Sequence, residues 1–278
     1  LVPPEAGKSV RLTIDRDLQW AAEDAITTLA KQTKATSVSA VIMDSQTGEI
    51  LALATAPGFD PNNFSHTKAS LLKVPSVQDI YEPGSTGKVM TMAAALEEKV
   101  VTPISVFKTP DRMRRAGKLF KDHDNHEVWK LTATGILAKS SNVGTIKIAE
   151  RMSEHTLYSY LQKFGIGDRI RLGLPAETAG ILNPVEKWSR STFPTIAFGQ
   201  SYSVTTIQAT SVFATIANSG VRITPTLVAG TSDSSGHYTA EKKPESRRVI
   251  SADVAKQLND IYRQHQLLQY RTFGYGHS

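Results

Sequence analysis

Cysteine is absent from all 278 residues, which excludes disulfides, thiolate metal sites and cysteine nucleophiles. No run of eighteen or more apolar residues occurs, so no stretch reads as a membrane span. The first residues, Leu1-Val2-Pro3-Pro4, show neither the basic nor the apolar region of an export signal. Charge of one sign is also lacking in any concentrated form. The net charge is +6, but the basic residues are dispersed. Arg112, Arg114, Arg115 and Lys118 form one cluster, and Lys242, Lys243, Arg247 and Arg248 another. Neither is interleaved with aromatics, so nucleic acid is not an expected partner; a solvated surface, or attraction to an anionic envelope, is. Internal repeats and low-complexity tracts are missing too. The length suits one large domain or two small ones.

What is present alternates between strand-like and helix-like periods. Residues 10–14 read as a short strand. Asp15-Arg16-Asp17-Leu18-Gln19 then opens an amphipathic helix with Leu18, Ala21, Ala22, Ala25, Ile26 and Leu29 as its expected buried stripe. Residues 39–44 and 49–54 are apolar at nearly every position and bracket Ser45-Gln46-Thr47-Gly48. That pattern predicts a hairpin covered on both faces, within a central antiparallel sheet flanked by helices. Residues 56–63 make an irregular exit, and residues 104–129, rich in charge, glycine and histidine, read as an excursion with little core. Helices are expected on both sides of residues 139–144, over 156–164, over 205–218 and over 252–261. Short extended pieces are expected at 221–228 and 248–250.

One segment carries chemistry. In Tyr81-Glu82-Pro83-Gly84-Ser85-Thr86-Gly87-Lys88 a hydroxyl and an amine lie three residues apart, and Val89, Met92, Ala93 and Leu96 follow at helical spacing. Ser85 is therefore expected in the first turn of a helix, on the face of Lys88. A lysine held in a dry pocket loses basicity until it can accept a proton from a serine hydroxyl, and such a serine becomes a nucleophile. Helix-start N–H groups favour the alkoxide and a nearby oxyanion. Ser-x-x-Lys alone also fits a serine cap followed by a solvated lysine. A second element is Ser140-Ser141-Asn142, between two helical stretches. A serine there could carry a proton from Lys88 to a leaving group, and an asparagine amide could hold a substrate amide and fix the lysine; a polar capping turn is the plain alternative.

Taken together, Leu12-Thr13-Ile14-Asp15-Arg16-Asp17-Leu18-Gln19, the hairpin from Asp44 to Ala52, the segment from Tyr81 to Lys88, Lys139-Ser140-Ser141-Asn142-Val143-Gly144 and the segment from Phe198 to Thr205 resemble the transpeptidase domain of a class B penicillin-binding protein, over about residues 12–261. Residues 54–62 fit the monofunctional division and elongation type. The resemblance implies an α+β fold like that of penicillin-binding proteins and serine β-lactamases, with an all-helical subdomain beside the central sheet. It implies a peptidoglycan D,D-transpeptidase with Ser85 as the acylated nucleophile, also the site of β-lactam acylation. Lys88 is then the base, Ser140 the proton relay, Asn142 the substrate-binding amide, and the Ser85 N–H part of the oxyanion hole. No cofactor or metal is needed. Implied partners are stem peptides, β-lactams and membrane proteins of the divisome or elongasome, at the extracytoplasmic face of the bacterial membrane, with an anchor lying outside this chain.

Some features depart from the family pattern. No Lys-Thr/Ser-Gly follows residue 261. The expectation is an incomplete transpeptidase domain over 1–261, lacking its C-terminal sheet strands, with a non-homologous tail over 262–278. Truncation or a frameshift would produce this, and impaired turnover would follow. The hairpin would be left with an open apolar edge. Gly87 stands where an aromatic is usual, and Ser201 and Thr206 where glycine and proline are common. Asp122, His123, His126 and His155 suit no standard metal spacing, so surface or hydrogen-bonding roles are expected of them. A serine β-lactamase shares the nucleophile helix, but the Ser140-Ser141-Asn142 form argues against it. A non-catalytic β-lactam sensor or scaffold is the alternative that the absent third motif supports.

Overall fold

The computed structural model describes residues 7–273, with side chains through residue 263; residues 1–6 and 274–278 lie outside it. β1 (Ser9–Leu12) leads into α1 (Arg16–Thr33), which Asp15 caps by accepting the Asp17 and Leu18 N–H groups at 3.0 and 2.9 Å. β2 (Val38–Met43) and β3 (Ile50–Ala56) form the expected hairpin, paired from Val38↔Ala56 to Met43↔Ile50 with a bulge at Ile42/Met43. Asp44 closes its turn, accepting the Gln46 and Thr47 N–H groups at 2.7 and 2.9 Å, and these donors hold its carboxyl below the usual carboxylate range. The hairpin is covered on both faces. Ala22 and Ile26 of α1 pack on Ala52, Ala54 and Ala56, while Val41, Met43 and Leu53 meet Val77, Ile170 and Ile207 on the other side.

After α2 (Pro75–Gln78), a 3-10 turn over Gly84–Gly87 runs directly into α3 (Lys88–Glu97). Two small ladders follow. β4 (Val106–Thr109) pairs with β7 (Trp129–Thr132), and β5 (Arg112–Arg115) with β6 (Lys118–Lys121). Helices α4 (Ala133–Ala138), α5 (Asn142–Ala149), α6 (Glu154–Lys163), α7 (Thr192–Ala197) and α8 (Thr206–Ala217) come next. The chain closes with β8 (Val221–Ile223), β9 (Val228–Ser232), β10 (Tyr238–Ala240), β11 (Ser246–Arg248) and α9 (Ala252–Phe273).

α3 is the axis of the core. Val89, Met90, Met92, Ala93, Ala94, Ala95 and Leu96 are all buried, and Val143, Ile146, Leu157, Leu161, Ala255 and Leu258 of α5, α6 and α9 belong to the same cluster. The strands are divided among several small sheets. β1, β9 and β10 make a three-stranded antiparallel sheet and β8 pairs with β11. The β2–β3 hairpin is tied to them by Ile50 N–H, which donates to Thr226 O at 2.9 Å, and by Thr13 Oγ1, which donates to Ile50 O at 2.7 Å. The β3 edge is bonded from α1, where Gln19 Oε1 accepts the Leu53 N–H at 2.7 Å. Among the described residues no strand pairs with the other edge of β2.

Three expectations are corrected. The α1 stripe is narrower than the pattern suggested: only Ala22 and Ile26 are buried, Ala21 and Ala25 are exposed, and Leu18 and Leu29 stay 38% and 46% exposed. α1 rests on the small alanine face of one hairpin, which covers a narrow strip of it. Residues 104–129 do contribute core, because Phe107, Met113 and Phe120 point inward from the ladders and join the main cluster. Their strands alternate with exposed basic residues, and Ala116 and Gly117, with φ +48° and +78°, make a two-residue turn with positive φ at both centres, of the sort that joins tight hairpins. The last helix continues past 261 to Phe273, so the backbone of the expected tail is helical that far, and residues 274–278 lie outside the described part.

Candidate active site

The segment bearing Ser85 is clamped by the turn before α8. Tyr81 and Val204 exchange backbone hydrogen bonds at 3.0 and 2.9 Å, and the Gly84 N–H donates to Gly199 O at 2.8 Å. Glu82 Oε1 accepts the Ser201 N–H at 2.8 Å. Gly199 has φ +89°, and a Cβ there would collide with the Gly84 carbonyl, so the close approach requires glycine. Ser85 lies in the 3-10 turn just ahead of α3, one step before the α-helical turn expected for it, with its side chain exposed. A Cβ on Gly87 would strike the Tyr202 hydroxyl. Tyr202 thus crowds the space beside Gly87, and burial pushes its phenol pKa well up.

Lys88, the first residue of α3, is 1% exposed. Its Nζ donates to the Ser140 carbonyl, and to Ser140 Oγ at 3.0 Å. Burial pushes the ammonium pKa down to about 8, against the opposing pull of the Asp122 carboxylate. Among the described residues no hydrogen bond joins Ser85 Oγ to Lys88 Nζ. The amine is therefore held from the Ser140 side, one helical turn from the exposed serine.

Ser140 and Ser141 form the turn between α4 and α5. Ser140 has φ +52° and is exposed, while Ser141 is buried and caps α5, its Oγ accepting the Gly144 N–H at 2.8 Å. Asn142 opens α5, and its Nδ2 donates to Lys121 O at 2.9 Å, which ties the turn to the end of β6. The structure thus joins Lys88 to Ser140 directly, with Ser85 one turn away, and engages the Asn142 amide N–H with the protein's own backbone. Two groups outside the motifs also support the site. Asp122 lies under the Ser140–Asn142 turn, bonded to Ser141, Val143 and His126. Gly199 and Tyr202 brace the nucleophile segment. Local spacing offered no signal for Asp122 beneath the Ser140 turn, since its contacts with Ser141 and Val143 reach across 19 and 21 residues; for Gly199 the signal was its place in the 198–205 segment.

Among the described residues no group of three or more His, Asp or Glu is placed to hold a metal ion, and no helix is long and apolar enough to cross a membrane. A cavity of about 500 Å³ beside Thr47, Glu49, Ile223 and Lys242 does not reach the Ser85 segment; the chemistry is placed by the Lys88 hydrogen bonds, not by that hollow.

Residues 38–272 match the sequence model of the family described as penicillin binding protein transpeptidase domain. The chain is 38% identical over 258 residues to penicillin-binding protein PbpB of Mycolicibacterium smegmatis, covering 92% of this chain and 40% of that protein. It is 37% identical over 218 residues to peptidoglycan D,D-transpeptidase FtsI of Escherichia coli K12, covering 78% of this chain and 36% of that protein. Penicillin binding protein 3 of Mycobacterium tuberculosis, solved in complex with aztreonam, superposes with a TM-score of 0.89 at 36% identity, over 92% of this chain and 57% of that one. The chain thus spans about two-fifths of the length of such curated relatives. With matching sequence along most of its length and a matching fold, the chain belongs to the penicillin-binding protein transpeptidase family.

Proposed function

We propose that this chain carries the acyl-transfer site of a peptidoglycan D,D-transpeptidase. One observation carries the reading: a buried lysine with its pKa lowered to about 8 is seated on Ser140, one helical turn from an exposed serine. An amine near that value is partly unprotonated at neutral pH and can accept the Ser85 proton. Ser85 Oγ then attacks the carbonyl carbon of the penultimate D-alanine of a stem peptide. The peptide bond to the terminal D-alanine breaks, and Ser140 relays the proton from Lys88 to the departing amine. An amine of a second stem attacks the resulting ester, forms the cross-link and frees Ser85. The Ser85 N–H stabilises the oxyanion, and the Asn142 side chain orients the substrate amide. A β-lactam acylates the same oxygen when its ring opens. The related proteins named as D,D-transpeptidases, and the family structure bound to aztreonam, support this reading. Divisome or elongasome partners, and a position at the outer face of the membrane, belong to the same proposal.

Intact-mass measurement after incubation with benzylpenicillin tests it. A single adduct of the antibiotic's mass is expected on the wild type and none on Ser85→Ala. An unmodified wild type, or an adduct that persists in Ser85→Ala, contradicts it. Rapid release of hydrolysed antibiotic would indicate a β-lactamase instead.

A further inference from the structure

The loop after β6 sets a carboxylate beneath the turn that carries Ser140. Asp122 Oδ1 accepts the Val143 N–H at 2.9 Å, and Oδ2 accepts the Ser141 hydroxyl at 2.6 Å. Both donors belong to the start of α5, so the carboxylate anchors that helix from outside its own turn. Its third partner is His126, whose Nε2 lies 3.1 Å from Oδ2. The other ring nitrogen, Nδ1, faces the Glu127 carbonyl at 2.6 Å. A carboxylate and a carbonyl both only accept, so both contacts are satisfied when both ring nitrogens carry protons, and these partners favour the imidazolium form. Burial alone would lower the His126 pKa, but the Glu127 carbonyl and the Asp122 carboxylate outweigh it, and the net shift is upward. The ring stacks on Trp129 at a centroid separation of 3.4 Å and an angle of 6°, and the side chains of Asp122 and His126 are only 6% and 5% exposed.

A plain helix cap would need none of this second layer. Ser140 adjoins the anchored residues, and its carbonyl and hydroxyl are the groups that hold Lys88 Nζ. We propose that Asp122, locked in place by His126, is a positioning residue for the Ser85 chemistry, fixing the turn from which Ser140 seats the Lys88 amine. The inference rests on the acyl-transfer reading above. Asp122 also acts on Lys88 through its charge, favouring the protonated amine. The other charged groups facing the pair are Asp111, which pairs with Arg112, and Lys139, which lies over the Trp129 ring. Those groups stay unchanged in the variants below.

The test is the second-order rate of acylation by a chromogenic β-lactam, measured across pH in wild type, Asp122→Asn and His126→Phe, with folding monitored by circular dichroism. Asparagine keeps the shape but turns an NH₂ or a weaker acceptor toward Ser141 and His126. Acylation is expected to slow on the order of 10²-fold, the scale of a misplaced catalytic group. The limb on which the rate rises with pH should also move to lower pH, because a charge that stabilised protonated Lys88 is gone. His126→Phe removes a ring whose protonated form offsets Asp122, so any displacement of its limb should run the opposite way, to higher pH. A structural cap alone would lower stability and leave the plateau acylation rate of the folded protein unchanged, and that result overturns the proposal. Should Asp122→Asn not fold, the His126→Phe plateau rate decides by the same criterion. Should the wild type form no adduct, the acyl-transfer reading fails by itself, and the Lys88 ¹³Cε titration, assigned by its loss in Lys88→Met, replaces the rate. Displacement of its midpoint in opposite directions in the two variants supports the positioning role; an unmoved midpoint contradicts it.

Discussion

The helical half around α3 and the strand half around the β2–β3 hairpin are held in different ways. In the helical half every functional segment is tied from several directions: the Ser85 segment by residues 199–204, the Ser140 turn by Asp122 and Lys121, and the Lys88 amine by Ser140. The hairpin is covered on both faces and bonded from α1 along β3, but among the described residues the outer edge of β2 has no partner strand. Preorganisation for chemistry is therefore concentrated in the helical half, whereas the strand half presents an unfilled backbone edge. The two can be perturbed separately.

The largest effect is expected at the lysine. Lys88→Met should slow acylation by about 10²–10⁴-fold, the usual contribution of a positioned base. Its unfolding midpoint should not fall, because the variant no longer buries a cation with two partners; a parallel loss of stability would mean that the lysine is structural. Phe120→Ala tests whether the ladders belong to the core. The ring is 4% exposed and packs edge-on to Phe198 at 6.1 Å, so its removal should cost about 3–5 kcal/mol in chemical denaturation. A cost near zero would restore the picture of residues 104–129 as a loose excursion. Gly199→Ala places a Cβ against the Gly84 carbonyl at φ +89° and should cost about 1–3 kcal/mol, with acylation slowed alongside. Unchanged acylation there would show that the clamp on the Ser85 segment is dispensable. The smallest effect is expected at the sheet edge, where Ser39→Lys in β2 should change stability by less than about 0.5 kcal/mol. That variant should reduce concentration-dependent light scattering and leave acylation intact. Scattering unaffected by the lysine would remove the edge as a site of association.

Much of the helical half was legible in the sequence because its signals are local. Ser85 and Lys88 lie one turn apart, Ser140 and Asn142 are separated only by Ser141, and the helical period continues after each. The hairpin was legible for the same reason, as two apolar runs around Ser45-Gln46-Thr47-Gly48. For Asp122 and His126 the sequence supports only surface or hydrogen-bonding roles, because nothing in a linear pattern shows that an acid after β6 meets the start of α5. The β5–β6 ladder was missed because its single inward residues, Met113 and Phe120, are flanked by lysines and arginines that dominate the local composition. The α1 stripe was overestimated because periodicity reports which face is apolar, while the width of the packing partner sets how much of that face is covered. Gly87 looked like a departure in isolation; Tyr202 is the side chain that explains it.

The central claim is that a buried, weakly basic Lys88 activates Ser85. The most direct test is the pH dependence of the second-order rate of Ser85 acylation by a β-lactam whose own ionisation lies outside the range studied. The account predicts a rate that rises with pH through a midpoint near 8, where burial places the Lys88 pKa, and a collapse of that limb in Lys88→Met. A wild-type rate that stays flat from about pH 6 to 10, or an unchanged limb in Lys88→Met, would contradict it.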